Sequence, residues 1–298
     1  MKDQIFCKSN FYNYFYKFSY IKEEDWSYIV NLYIRESRHI DISKKANEII
    51  YKINKSLKLN YICIIINAMI IFHRYYLYNI YTNHQFSLDN SKLPIIALTC
   101  FFISTKSFDI KIKIDTFLDY SYKCGALEKS INDKEDLLFY EMEILCSNGF
   151  NISKYKFNLT NSYNIFQNIL KSLKIEIKDD SLSQNIKINF LSFIRLAFIF
   201  PFFLKYNPNT IILGCSNILI KNIFPNREIQ IWNNKEYSDI RNDIINFSNL
   251  FEKIFLQQRE NINDINDFNN INNTNTNHSI VEEDEINFEN IRRINTNY

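Results

Sequence analysis

The stretch AMIIFHRYYLYNIYTNHQFSLDNSKLPIIALTCFFISTK, Ala68 to Lys106, decides the fold. Its first part, followed back to Tyr61, is apolar almost all round, and a helix with no polar face must be sheathed by others. The pattern predicts a central helix over Tyr61–Tyr81. A polar loop follows, and then a second apolar helix over about Ser91–Lys106. That helix opens with Pro94, where the missing N–H costs nothing because first-turn amides have no intrahelical partner.

Working towards the N-terminus, Asp41–Leu57 carries Ala46, Ile49, Ile50, Ile53 and Leu57 on one stripe, with Lys44, Lys45, Glu48, Lys52 and Lys55 opposite. This is the signature of a core-facing surface helix. Before it, KEEDWSYIVNLYIRES (Lys22–Ser37) starts with acids that suit a helix N-terminus and spaces Trp26, Ile29, Val30, Tyr33 and Ile34 helically. Towards the C-terminus, helices fit Ile114–Lys123 and Asp133–Ser147.

After a linker near Phe150–Thr160 the same order recurs. An amphipathic stretch (Ser162–Leu173) is followed by an all-apolar one (Ile188–Leu204), a proline-initiated one (Pro208–Ile223) and weaker helices to about Gln258. The recurrence reads as a duplicated five-helix unit. Beyond Arg259, Asn and acidic residues dominate, with too little apolar content to offset ordering entropy, so a disordered tail is expected.

Composition agrees with helices. The 298 residues include only 3 Gly and 4 Pro, too few for the turns of a many-stranded sandwich or for glycine-rich nucleotide loops. A net charge of +2 offers no overall electrostatic case for nucleic acid or an anionic membrane. The apolar runs Tyr61–Phe72 and Phe190–Leu204 fall short of the roughly 20 residues that span a bilayer, and Arg195 and Pro201 interrupt the second. The 6 Cys are widely spaced with no C-x-x-C pair, so they read as reduced intracellular thiols.

No constellation for catalysis stands out: G-x-G-x-x-G, G-K-[ST], G-x-S-x-G, H-R-D and D-F-G are all missing, so the chain reads as a non-enzyme without cofactor. His39, His73, His84 and His278 lack metal-ligand spacing, and no metal site is expected. Phe72, Tyr75, Tyr76, Phe101 and Phe102 could be mistaken for a base-stacking platform, but their helical spacing makes them core.

The quoted stretch resembles the cyclin box, in which an apolar helix ends in R-F/Y-Y and the next reads I-A-x-x-C-x-F-x-A-x-K. Here those positions are Arg74, Tyr75, Tyr76, Ile96, Ala97, Cys100, Phe102 and Lys106. In EMEILCSNGF, Glu141 stands nine residues ahead of Phe150, which is similar to the fifth cyclin helix. YNPNTIILGC (Tyr206–Cys215) resembles the Y-x-P-x-x-I-A-x-A of a second box, with Leu213 and Gly214 replacing small residues. Within the family, YKFS (Tyr16–Ser19), RYYLYN, PIIALTCFFISTK and an acidic tail are most similar to the H type. The chain departs from its relatives after Lys106, where Ser107, Phe108 and a single Asp109 replace two adjacent acids, and Thr105 stands where Ala or Cys is common.

The resemblance implies an all-α cyclin fold of two five-helix boxes in tandem (41–149 and 150–258), an N-terminal extension with a helix (1–40) and a tail (259–298). It implies a regulatory subunit that activates a cyclin-dependent kinase of the CDK-activating type, with roles in cell cycle and transcription. By the same resemblance Lys106, Glu141 and Asp109 bind the kinase, and Lys106 and Glu141 grip its αC helix. It further implies a RING-finger assembly factor as partner, no direct nucleic acid or membrane contact, and a nuclear or cytoplasmic, intracellular location. Three alternatives stay open: another transcriptional cyclin of the C, K, L or T type, an adaptor resembling transcription factor IIB, and a cyclin-fold scaffold without kinase binding. R-x-x-L at Arg74–Leu77 falls in an expected buried helix, so it is not read as a degradation signal.

Overall fold

The computed structural model describes residues 21–59, 62–83, 88–150, 152, 159–172, 180–223 and 239–255. The expected tail from Arg259, the Tyr16–Ser19 segment, and His84 and His278 lie outside them. Among the described residues the protein is all-helical, with no strand. The helices are α1 (Glu23–Arg35), α2 (Ser37–Ser56), α3 (Ile62–Thr82), α4 (Leu93–Ser107), α5 (Ile114–Lys123), α6 (Asp133–Ser147), α7 (Leu159–Ser172), α8 (Asp180–Ala197), α9 (Pro208–Ile223) and α10 (Arg241–Phe255), with a 3₁₀ turn at Phe202–Leu204. None is long and apolar enough to cross a membrane.

The described chain divides into two compact units. The first runs to Leu159 and includes Phe198–Lys205; the second takes Thr160–Ala197 and the chain from Tyr206. In the first unit α3 is the axis, buried continuously from Ile64 to Leu77. It packs on α2, α4 and α6; α4 also packs on α2 and α6. Ile66 on α3 and Ala97 on α4 are fully buried, and Phe72, Tyr75, Tyr76, Phe101 and Phe102 are core residues as their spacing implies. Arg74 and Leu77 are buried as well. Of the stripe predicted on α2, Ala46, Ile50 and Ile53 are buried while Ile49 and Leu57 are half-buried, and Lys52 on the opposite side is exposed.

α1 closes the first unit over the Phe198–Lys205 segment. Ile21 donates its N–H to the Leu204 carbonyl at 3.0 Å, and Glu23 pairs with Lys205. Trp26 meets Phe200 edge-on at 5.8 Å, and Tyr33 meets it at 5.0 Å. Under this aromatic layer His73 is fully buried. Its Nε2 lies 3.0 Å from the Phe198 carbonyl, which can only accept, so Nε2 carries the proton and Nδ1 accepts from the Tyr33 hydroxyl at 3.1 Å. Burial lowers the His73 pKa to about 4, since an imidazolium there would lack water. His39 is set the same way, donating to Glu36 at 2.9 Å and accepting from Tyr76 at 2.7 Å. Burial pulls its pKa down and the Glu36 carboxylate partly restores it.

In the second unit α9 packs on α8 and α10. Pro208 starts α9, and the Asn207 side chain accepts from the Thr210 N–H at 2.8 Å, capping it. Gly214 is required by packing: a Cβ there would overlap the ring of Phe247 from α10. The apolar run expected as one helix over Ile188–Leu204 is different in the structure, because α8 starts at Asp180 and stops at Ala197. Pro201 explains the stop, since a proline ring clashes with the carbonyl four residues back, which is that of Ala197, and offers it no N–H. The described part of this unit holds α7 to α10, and residues 224–238 lie outside it.

Candidate functional site

The site is built where α4 ends beside α6. α4 is terminated by Asp109, whose φ of 59° lies in the left-handed region. Aspartate tolerates that region better than most residues, and a left-handed residue after the last turn lets trailing amides close onto helix carbonyls. The Asp109 N–H reaches the Lys106 carbonyl at 3.1 Å, and the Ile110 N–H reaches that of Thr105 at 3.0 Å. Asp109, expected at the site, therefore shapes the end of the helix and is itself exposed. The Thr105 hydroxyl turns back to the Phe102 carbonyl at 2.8 Å, so it is satisfied within α4.

Lys106, in the last turn, sits where a cation complements the helix dipole. Its Nζ lies 2.5 Å from Glu141 Oε1 on α6, a residue 35 positions away, and 4.4 Å from the centre of the Phe102 ring. Lys106 is 47% exposed and Glu141 15%, so the pair has one face in solvent and one against protein. Such a pair adds at most about 1 kcal/mol to folding, which leaves both charges free for redirection to another partner.

α6 is held by a narrow stripe in which Asp133, Leu137, Ile144 and Ser147 are buried. Asp133 accepts from the Ser130 N–H at 2.6 Å and the Tyr122 hydroxyl at 2.9 Å, which fixes the start of the helix. Burial and the neighbouring Asp133 carboxylate push the Tyr122 phenol up to about 12. Off the stripe, Leu138, Phe139 and Met142 are 46%, 59% and 57% exposed. The helix ends in two left-handed residues, Gly149 (φ 59°) and Phe150 (φ 56°), and the Phe150 ring is exposed. An aromatic residue held at positive φ is strained, and strain of this kind concentrates at functional sites.

Lys106 and Glu141 are thus brought together, and Asp109 flanks them at the end of α4. The apolar residues Leu138, Phe139 and Met142 were not among the candidates read from the sequence. Their signal was nonetheless present, because DLLFYEMEIL carries more apolar residues than one helical stripe can bury. A half-exposed ion pair with Leu138 exposed one turn before Glu141 and Met142 exposed next to it is suited to gripping a helix of another protein, with the charges meeting its polar groups and the apolar residues losing water, whereas Phe139 lies well round the helix from Glu141. No protein-family model matches the chain, and no curated protein matches it.

Proposed function

We propose that the chain is a cyclin-type regulatory subunit that binds and activates a cyclin-dependent serine/threonine kinase. The observation that carries this reading is the Lys106–Glu141 pair, with Leu138 exposed one turn before Glu141 on α6 and Met142 exposed next to it. It joins the two residues that the cyclin-box resemblance assigns to the kinase αC helix.

The physical logic is differential binding. A protein kinase is active only when its own lysine–glutamate ion pair and its metal-binding aspartate are both in place. A partner that binds the αC helix only in that arrangement shifts the kinase population towards it. Lys106 and Glu141 supply charges for the ends and polar flank of that helix, and the α6 apolar residues supply area. The subunit contributes position and carries out no chemistry of its own.

In this reading the two compact units correspond to tandem cyclin boxes. The subtype is cyclin H-like, part of a CDK-activating kinase with a RING-finger assembly factor, acting in the nucleus or cytoplasm. Native pull-down with mass spectrometry tests it. The expected result is co-purification of an activating-type kinase with a RING-finger protein. Recovery of a cell-cycle kinase alone would remove the subtype, and recovery of no kinase would overturn the proposal.

A further inference from the structure

A cluster of polar side chains joins α3 to the last turns of α4. Asn67, only 1% exposed, sits 3.1 Å from Ser104 Oγ and 3.0 Å from Ser107 Oγ through its Nδ2. The Ser104 hydroxyl lies 2.8 Å from the Ile64 carbonyl, and the Ser107 hydroxyl 2.7 Å from the Ser104 carbonyl. A carbonyl only accepts, so each serine spends its one proton there and turns a lone pair to Asn67. The facing group of Asn67 must therefore be its NH₂, with one N–H for each serine. The cluster closes with every proton used.

The position of this cluster is what gives it consequence. Ser104 and Ser107 are three residues apart and share one face of α4, while Lys106 lies between them on a different face, since each residue turns a helix by about 100°. Pinning both serines to one buried amide fixes the rotation of the last turn of α4, and that rotation decides where Lys106 points. An apolar contact would hold the helices together but would not specify that angle, because hydrophobic contact is non-directional. A buried amide is costly unless fully bonded, so its presence here selects one arrangement.

We infer that Asn67 is a positioning residue: through Ser104 and Ser107 it sets the orientation of the α4 terminus so that Lys106 meets Glu141 and is presented for docking. The docking half of this inference rests on the function proposed above; the bracing half does not.

The test has two arms. In the free protein labelled with ¹³C-lysine, the Lys106 Cε resonance, assigned with Lys106→Arg, reports its pairing as the shift caused by Glu141→Gln. Asn67→Ala should reduce that shift by half or more, and Ser107→Ala, at a half-buried position that tolerates the loss more easily, should reduce it in the same direction. The second arm measures affinity for a purified activating-type cyclin-dependent kinase. Asn67→Ala should weaken it about tenfold in the wild-type background and have no further effect in Lys106→Ala, because a residue that acts only through another is silent once that other is gone. An unchanged Lys106 shift in both Asn67→Ala and Ser107→Ala overturns the inference, as does an equal loss of affinity with and without Lys106. A reduced shift with kinase binding indifferent to Lys106→Ala would leave the bracing standing and remove the docking function.

Discussion

The Phe247 ring lies against Gly214 so closely that no side chain fits between them. Phe247 is fully buried and fixed by Tyr206 at 5.7 Å and Phe251 at 5.8 Å, so it has little room to retreat. Alanine at 214 would gain about 1 kcal/mol of helix propensity, but overpacking costs about 1–3 kcal/mol. We predict that Gly214→Ala is net destabilising in chemical denaturation. Adding Phe247→Leu should recover part of the loss, and a Gly214→Ala protein more stable than wild type would refute the packing account.

Ile66 on α3 and Ala97 on α4 are both fully buried. Ile66→Asp or Ala97→Arg would bury a charge with no partner, costing more than about 3 kcal/mol. Neither variant should give a soluble protein with a cooperative unfolding transition. Cooperative unfolding of either would mean that the substituted position is not part of the core.

The buried His73 makes stability depend on pH. Its folded pKa is lowered to about 4 from an ordinary 6.5, so the unfolded chain binds the proton more readily. The contribution is fully present above pH 6.5 and is lost as pH falls from 6.5 towards 4, amounting to about 3 kcal/mol over that window. His39 adds a loss in the same direction, partly offset by Glu36. Denaturation midpoints between pH 7 and 4.5 should fall steeply in the wild type and less steeply in His73→Gln, whose amide can still donate to the Phe198 carbonyl. Equal slopes for the two proteins would contradict the assignment.

How far the sequence reveals this architecture differs from feature to feature. Periodicity alone locates α5 over Ile114–Lys123 and α6 over Asp133–Ser147, because polar loops bound them and no competing signal intrudes. It fails at Pro201, where a continuous apolar run conceals a break whose cause, the ring against the Ala197 carbonyl, is steric and not a matter of hydropathy. Nor does it reveal that Phe198–Lys205 packs with Trp26, Tyr33 and His73, since apolar character says that a segment is buried but not against what. At the site, Lys106 and Glu141 emerge from the resemblance to a box motif, and no local pattern links residues 35 positions apart. Asn67, Ser104 and Ser107 remain silent in sequence because a buried polar cluster is recognisable only once its members meet.

The proposal that Lys106 and Glu141 grip a kinase is tested by kinase affinity and activation with Lys106→Ala and Glu141→Ala, with Lys52→Ala as control. Truncating one member of a charged contact that becomes buried on binding typically costs roughly 2–5 kcal/mol, or about thirty-fold to several thousand-fold in affinity. Lys52 lies on the solvated side of α2, and its loss should change affinity by less than about 1 kcal/mol. Circular dichroism should show unchanged helicity in all three, because the Lys106–Glu141 pair adds little to folding. Both site variants should lose most activation while the control keeps it. Full activation by both Lys106→Ala and Glu141→Ala would contradict the proposal.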